Sequence, residues 1–208
     1  MNVVKTKRPD VHFKCYFLGK LNYPICYVLL LLFVCSCQQR QVTHGEYQNL
    51  KVTYQQQEYN MCVPTSASIV LNYYGEKISP GRIKALSTPD TSTFAGTFLK
   101  DLVEGVRKLG YNWEVHAFTT DNAGLQKGFA EIRAALDEGH PVLVSTSFPP
   151  IGHTMVMVGY DTIHKQIFLI DPNSPYPGNR TLSYSSFYSI WHEDIASVRA
   201  FVLTRPKS

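Results

Sequence analysis

The order of patterns along this chain predicts an α+β domain, with helices first and an antiparallel meander of strands after them. Three observations carry that expectation. Apolar residues recur at spacings of three and four after Cys62, after Thr97 and after Gln126, as on one face of a helix. Short apolar runs follow: "PVLVSTS", "HTMVMVGYD", "IFLID" and "RAFVLTR". The tight turn "IHKQ" leads from the second of these into the third. Hydrophobic residues make up 44% and charged residues 17%, which describes a globular chain and excludes a disordered one.

The first helix is expected from Cys62, with Ala67, Val70, Leu71 and Tyr74 on one face. Pro64 suits a first turn, where its missing N–H costs nothing, and Gly75 suits the stop. Further helices are expected over 79–86, 97–109 and 126–138, with Gly110 and Gly139 closing the last two. Strands are expected over 113–118, 141–147, 153–161, 167–171 and 199–205. "PPIG" at 149–152 reads as a turn, "PNSPYPGNR" as an extended loop, and "SYSSFYSIWH" as a short helix. The loops at 87–97, 118–126 and 172–182 are candidates to line a cleft.

The 208 residues carry a formal net charge of +4, and its location matters. Residues 1–37 hold five Lys/Arg against one acid, which leaves fifteen residues of each sign in the remainder. The charge belongs to the leader, so nothing points to nucleic acid. After a basic stretch, "PICYVLLLLFVCS" at 24–36 is apolar and uncharged. Thirteen residues are short of the ~20 a membrane span needs and fit the core of a secretory signal. "VCSC", Val34 to Cys37, resembles the bacterial lipobox. That resemblance implies cleavage before Cys37 and lipidation of this cysteine. Gln38 then favours the outer membrane, facing the periplasm. An uncleaved N-terminal anchor is the competing reading. The expected organisation is a lipoprotein signal peptide at 1–36, the lipidated Cys37 and a polar tether at 37–54, and one folded domain at 55–208, outside the cytoplasm.

Of five cysteines, Cys15, Cys26 and Cys35 leave with the leader, Cys37 takes lipid, and Cys62 is the only thiol of the folded domain. Exported proteins usually pair their cysteines, so a lone one invites a test for reactivity. Disulfides and cysteine-rich metal sites are excluded by count. A helix N-terminus favours thiolate and offers backbone N–H groups to an oxyanion. Gln56, six residues before Cys62, can add an amide donor, with Gln55 and Gln57 competing for the assignment. The base is expected to be His153, which opens an apolar strand beside a loop. His44, His116, His140, His164 and His192 fit solvated positions less suited to the role. Asp171 closes the next strand at the same end of the hairpin, where it can accept from the imidazole nitrogen turned away from Cys62. Asn173 is a lesser candidate for that role. His44/Glu46 and His192/Glu193/Asp194 lack the spacing of a metal site, and neither metal nor cofactor is expected.

Taken together, "NMCVPTSASIVLNYYG", "GHPVLVS", "GHTMVMVGYD" and "IFLIDPN" resemble the papain-like cysteine peptidases of the bacteriocin-leader-processing type, family C39-like. "LSYSSFYSIW" is similar to the helix that follows the Asp-Pro segment in that group. The resemblance spans roughly residues 50–195. It implies a papain-like fold, Cys62 as nucleophile, His153 as general base and acid, Asp171 as orienter, and Gln56 as oxyanion donor. It also implies hydrolysis of a peptide bond through a thioester, with a peptide or protein as partner. Two departures are expected to matter: no transporter follows, and Val63 stands where the processing enzymes often carry glycine. Double-glycine leader cleavage is therefore not inherited with the fold. Two other classes stay open: an inactive papain-fold lipoprotein that binds a peptide or scaffolds an envelope complex, and a thioester amidase or acyltransferase.

Overall fold

The computed structural model describes residues 45–87, 96–147, 152–192 and 198–207. In chain order these form β1 (Tyr47–Asn49), α1 (Cys62–Tyr73), α2 (Pro80–Ser87), α3 (Leu99–Arg107), β2 (Glu114–Phe118), α4 (Asn122–Asp137), β3 (Val142–Thr146), β4 (His153–Asp161), β5 (Gln166–Ile170), β6 (Asn179–Ser183), α5 (Tyr184–Ile190) and β7 (Arg199–Leu203). The strands make one sheet in the order β2-β7-β3-β4-β5-β6, with β1 pairing β4. Every pairing is antiparallel. The chain is therefore an α+β domain, as its pattern predicts.

Both faces of the central strands are covered, which explains why they read as nearly continuous apolar runs. Leu143, Val156, Val158, Ile170, Ala200 and Val202 pack with α1, α2 and α3. Their neighbours Val142, Val144, Met155, Met157, Leu169 and Phe201 pack on the other face with α4 and α5. The period-2 alternation of side chains sorts them between the two layers. Trp113, Trp191, Phe187 and Tyr160 are fully buried.

The structure corrects several expectations. β3 to β6 form the meander, but β7 leaves it and returns between β2 and β3. Tyr47–Asn49, inside the expected tether, is built into the sheet: Asn49 lies opposite Gly159 and Tyr47 opposite Asp161. A Cβ at Gly159 would come within 2.0 Å of the Gln48 carbonyl, so glycine is what lets this strand approach. The helix expected at 126–138 begins at Asn122, because Asp121 caps it by accepting from the Gly124 N–H. That turns most of the expected 118–126 loop into helix. The expected 172–182 loop ends early, since Asn179–Ser183 is an edge strand paired with β5. Residues 88–95, most of the "PPIG" turn, His44, Glu193, Asp194 and Cys37 lie outside the described residues. Among the described residues, no helix is long and apolar enough to cross a membrane.

Candidate active site

Cys62 is the first residue of α1. Tyr59 and Asn60 form a turn before it, with Asn60 in the left-handed region (φ 57°). The N-cap residue Met61 makes no side-chain cap, and the first turn holds no acid. The leading N–H groups of the helix are therefore left for other acceptors. One such acceptor is Cys62 itself, whose sulfur receives backbone N–H groups from Val63 and from Thr154 on β4.

His153 opens β4. The Thr146 hydroxyl donates to the His153 carbonyl at 2.9 Å, and the Ser66 hydroxyl of α1 donates to the Thr154 carbonyl at 3.1 Å. These bonds fasten the start of β4 to β3 and to the cysteine helix. His153 Nε2–H donates to Asp171 Oδ1 at 2.7 Å, which leaves Nδ1 for the hydrogen bond to Cys62. The β4–β5 register, with Val156 opposite Ile170, is what brings His153 and Asp171 to the same end of the hairpin.

Asp171 is buried, and each carboxylate oxygen has further donors. Asn173 N–H reaches Oδ1 at 2.9 Å, and the Ser174 hydroxyl reaches Oδ2 at 2.9 Å. Arg180 of β6 places Nε at 3.1 Å and Nη2 at 2.9 Å from Oδ2. The loop after Asp171 is held by Asp171 N–H to the Gly178 carbonyl and by Gln57 N–H to the Pro172 carbonyl. Gly178 sits at φ 68°, where a Cβ would fall 2.1 Å from the Tyr54 ring, so no other residue fits.

The electrostatics follow from this packing. Burial pushes the Cys62 thiol up, but the hydrogen bond from His153 and those from the Thr154 and Val63 amides outweigh it, and the net shift is downward. Burial pulls His153 down, yet its bonds to Asp171 and Cys62 leave it raised to about 9. Burial opposes ionisation of Asp171, but His153, the Asn173 N–H and Ser174 hold it well below the usual carboxylate range. Both shifts favour the thiolate–imidazolium form of the pair.

The structure thus brings Cys62, His153 and Asp171 together. The other described histidines have different partners: His116 bonds Glu131, His140 lies beside Tyr74, His164 bonds Asp161, and His192 bonds Ser147. Asn173 serves Asp171 through its backbone rather than as a side-chain substitute for it. Among the three glutamines, Gln56 is exposed, Gln55 accepts from the Ser68 hydroxyl at 3.0 Å, and Gln57 has a buried, unpartnered Oε1. Arg180 was not foreseen from sequence. Its signal was a basic residue in "NRTLS", masked by the turn residues before it.

A papain-like cysteine peptidase fold is what this arrangement of helix, sheet and site defines. The profile of the Peptidase_C39 like family matches residues 49–195, and the chain belongs to that family. A search among curated proteins finds no match. Solved structures show the same fold. A double glycine motif protease from an AMS/PCAT transporter, in complex with the leader peptide, is 17% identical with a TM-score of 0.55, covering 77% of this chain and 95% of that one. A C39-like peptidase from Bacillus anthracis is 16% identical with a TM-score of 0.57, covering 79% and 100%. Xylellain, a cysteine protease from Xylella fastidiosa, is 12% identical with a TM-score of 0.56, covering 79% and 87%. At these identities the likeness is one of fold.

Proposed function

We propose that this protein is an envelope-anchored cysteine peptidase that hydrolyses a peptide bond through a thioester on Cys62. The observation that carries the reading is His153, hydrogen-bonded to Asp171 on one side and to Cys62 on the other, with Cys62 at an uncapped helix N-terminus. The Cys62 thiolate attacks the carbonyl carbon. The oxyanion is met by the Cys62 backbone N–H and, as the family resemblance implies, by the Gln56 amide, which swings in from its exposed position. His153 passes its Nδ1 proton to the leaving amine, and the acyl group stays on sulfur. Nδ1 then takes a proton from water, whose oxygen attacks the thioester and releases the acid. Asp171 keeps its partner nitrogen protonated and the ring in place throughout. A relative of the same fold holds a leader peptide, which supports a peptide as the substrate class. The lipobox-like "VCSC" supports an anchor through lipidated Cys37, with the domain in the periplasm at the outer membrane.

Alkylation of Cys62 against pH, followed on its own peptide by mass spectrometry, tests the pair without a known substrate. The parent is expected to react well below the ordinary thiol pKa of about 8.5. His153→Ala is expected to react about 100-fold more slowly at pH 6, because an ordinary thiol is then mostly protonated. A parent that titrates like an ordinary thiol, with or without His153, rejects the peptidase and favours a binding module.

A further inference from the structure

An aspartate that only orients a histidine needs one bond to it. Four hydrogen bonds reach the Asp171 carboxylate, from His153 Nε2 and Asn173 N to Oδ1 and from Ser174 Oγ and Arg180 Nε to Oδ2, and Arg180 Nη2 adds an ion-pair contact to Oδ2 at 2.9 Å. A carboxylate has about four lone-pair sites, so this one is saturated. The bonds from Asn173 and Ser174 come from two and three residues onward and are the local turn an aspartate commonly makes. The contact from Arg180 is different, because it comes from another strand. The β5–β6 register sets Arg180 opposite Leu169, two residues before Asp171, a diagonal that only a long side chain spans. Arg180 Nη2 also donates to Ser174 Oγ at 3.1 Å, so the serine hydroxyl is committed to Asp171.

We infer that Arg180 is a positioning residue for the Cys62–His153–Asp171 triad: its guanidinium locks the carboxylate plane so that Oδ1 stays on His153 Nε2, and its charge shares Asp171 with the imidazolium. The inference rests on the reading of these three residues as a working triad. Two consequences are separable. The planar guanidinium reaches Asp171 Oδ2 and Ser174 Oγ at once, a geometry that a lysine does not reproduce. The positive charge disfavours protons on both Cys62 and His153, so it sets where the reactive pH window lies.

The test uses the full chain in detergent, with Arg180→Met and Arg180→Lys beside the parent. Cys62 alkylation is recorded from acid to alkaline pH, and the downfield His153 Nε2–H resonance is followed by NMR. Arg180→Met is expected to displace both limbs of the alkylation profile to higher pH by about half a unit or more, and to broaden the resonance. Arg180→Lys is expected to restore the limbs while the resonance stays broadened. A Met variant that overlies the parent in both readouts overturns the inference. Should Met fail to fold, a Lys variant with a parent-like resonance overturns it, and a broadened one supports it. A parent whose Cys62 titrates as an ordinary thiol overturns the triad itself. A displaced parent thiol with unmoved Arg180 variants overturns the role of Arg180 alone.

Discussion

The β4–β5 hairpin carries a histidine–aspartate pair at each end. At one end His153 meets Asp171, and at the other His164, in the turn, meets Asp161, both at 2.7 Å. Length and residue types are the same. The side chains of the first pair are 11% and 5% exposed, while His164 in the second is 69% exposed. His153 has Cys62 on its second nitrogen, and its aspartate is held by two strands and a loop. Asp161 instead serves its own turn, accepting the His164 N–H at 2.8 Å. A short bond between imidazole and carboxylate is thus common furniture of a turn. Burial, a thiol and support from elsewhere in the chain are what distinguish a reactive site.

The sharpest way to break this comparison is to neutralise each aspartate. Asp171→Asn is expected to slow hydrolysis of a peptide substrate by about 10²–10⁴-fold, the range of a lost acid–base orienter. Asp161→Asn is expected to stay within about threefold. Equal losses would erase the distinction drawn here. Next in size is the loop that frames Asp171. Gly178→Ala forces a Cβ into Tyr54 at a left-handed position, and urea unfolding should show a loss of about 1–3 kcal/mol.

A pH series sharpens the same contrast. His153 is raised to about 9 when folded, so it binds its proton more tightly folded than unfolded. That contribution is complete below its ordinary value of about 6.5 and is lost as pH rises through about 9. In a Cys62→Ser background, where no thiol releases a compensating proton, the Tm advantage of His153 over His153→Gln should therefore shrink as pH rises above about 6.5. A gap that stays constant would deny the linkage. The smallest effect belongs to the exposed pair: His164→Ala should change stability by no more than about 0.5 kcal/mol and leave the alkylation profile unmoved.

The three residues brought together were legible because punctuation marks each element end that carries them. Pro64 fixes the start of α1 close behind Cys62, Gly152 precedes His153, and Pro172 follows Asp171. Local chemistry reports such boundaries well. It reports poorly on short polar strands. β1 is "YQN" and β6 is "NRTLS", and neither has the apolar alternation of a half-buried strand. Both exist because a neighbouring strand offers unpaired backbone groups. Missing β6 meant missing Arg180, whose contact with Asp171 depends on register. The start of α4 was obscured by Gly124 and Gly128, which weaken a helical pattern although Asp121 caps it. The choice among Gln55, Gln56 and Gln57 turns on side-chain direction in a stretch without regular structure, which spacing alone does not encode.

The short ladder of β1 also has a mechanical meaning. Tension drawn through the N-terminal side of the chain reaches Tyr47 before it reaches Cys62. It meets three residue pairs with β4, backed by the Leu50 N–H to the Val158 carbonyl. The carbonyls of Gly45 and Glu46, held by Tyr160 and Thr162, take such a load together with the ladder, and the Gln57–Pro172 bond, which ties the cysteine arm to the aspartate loop, lies behind them.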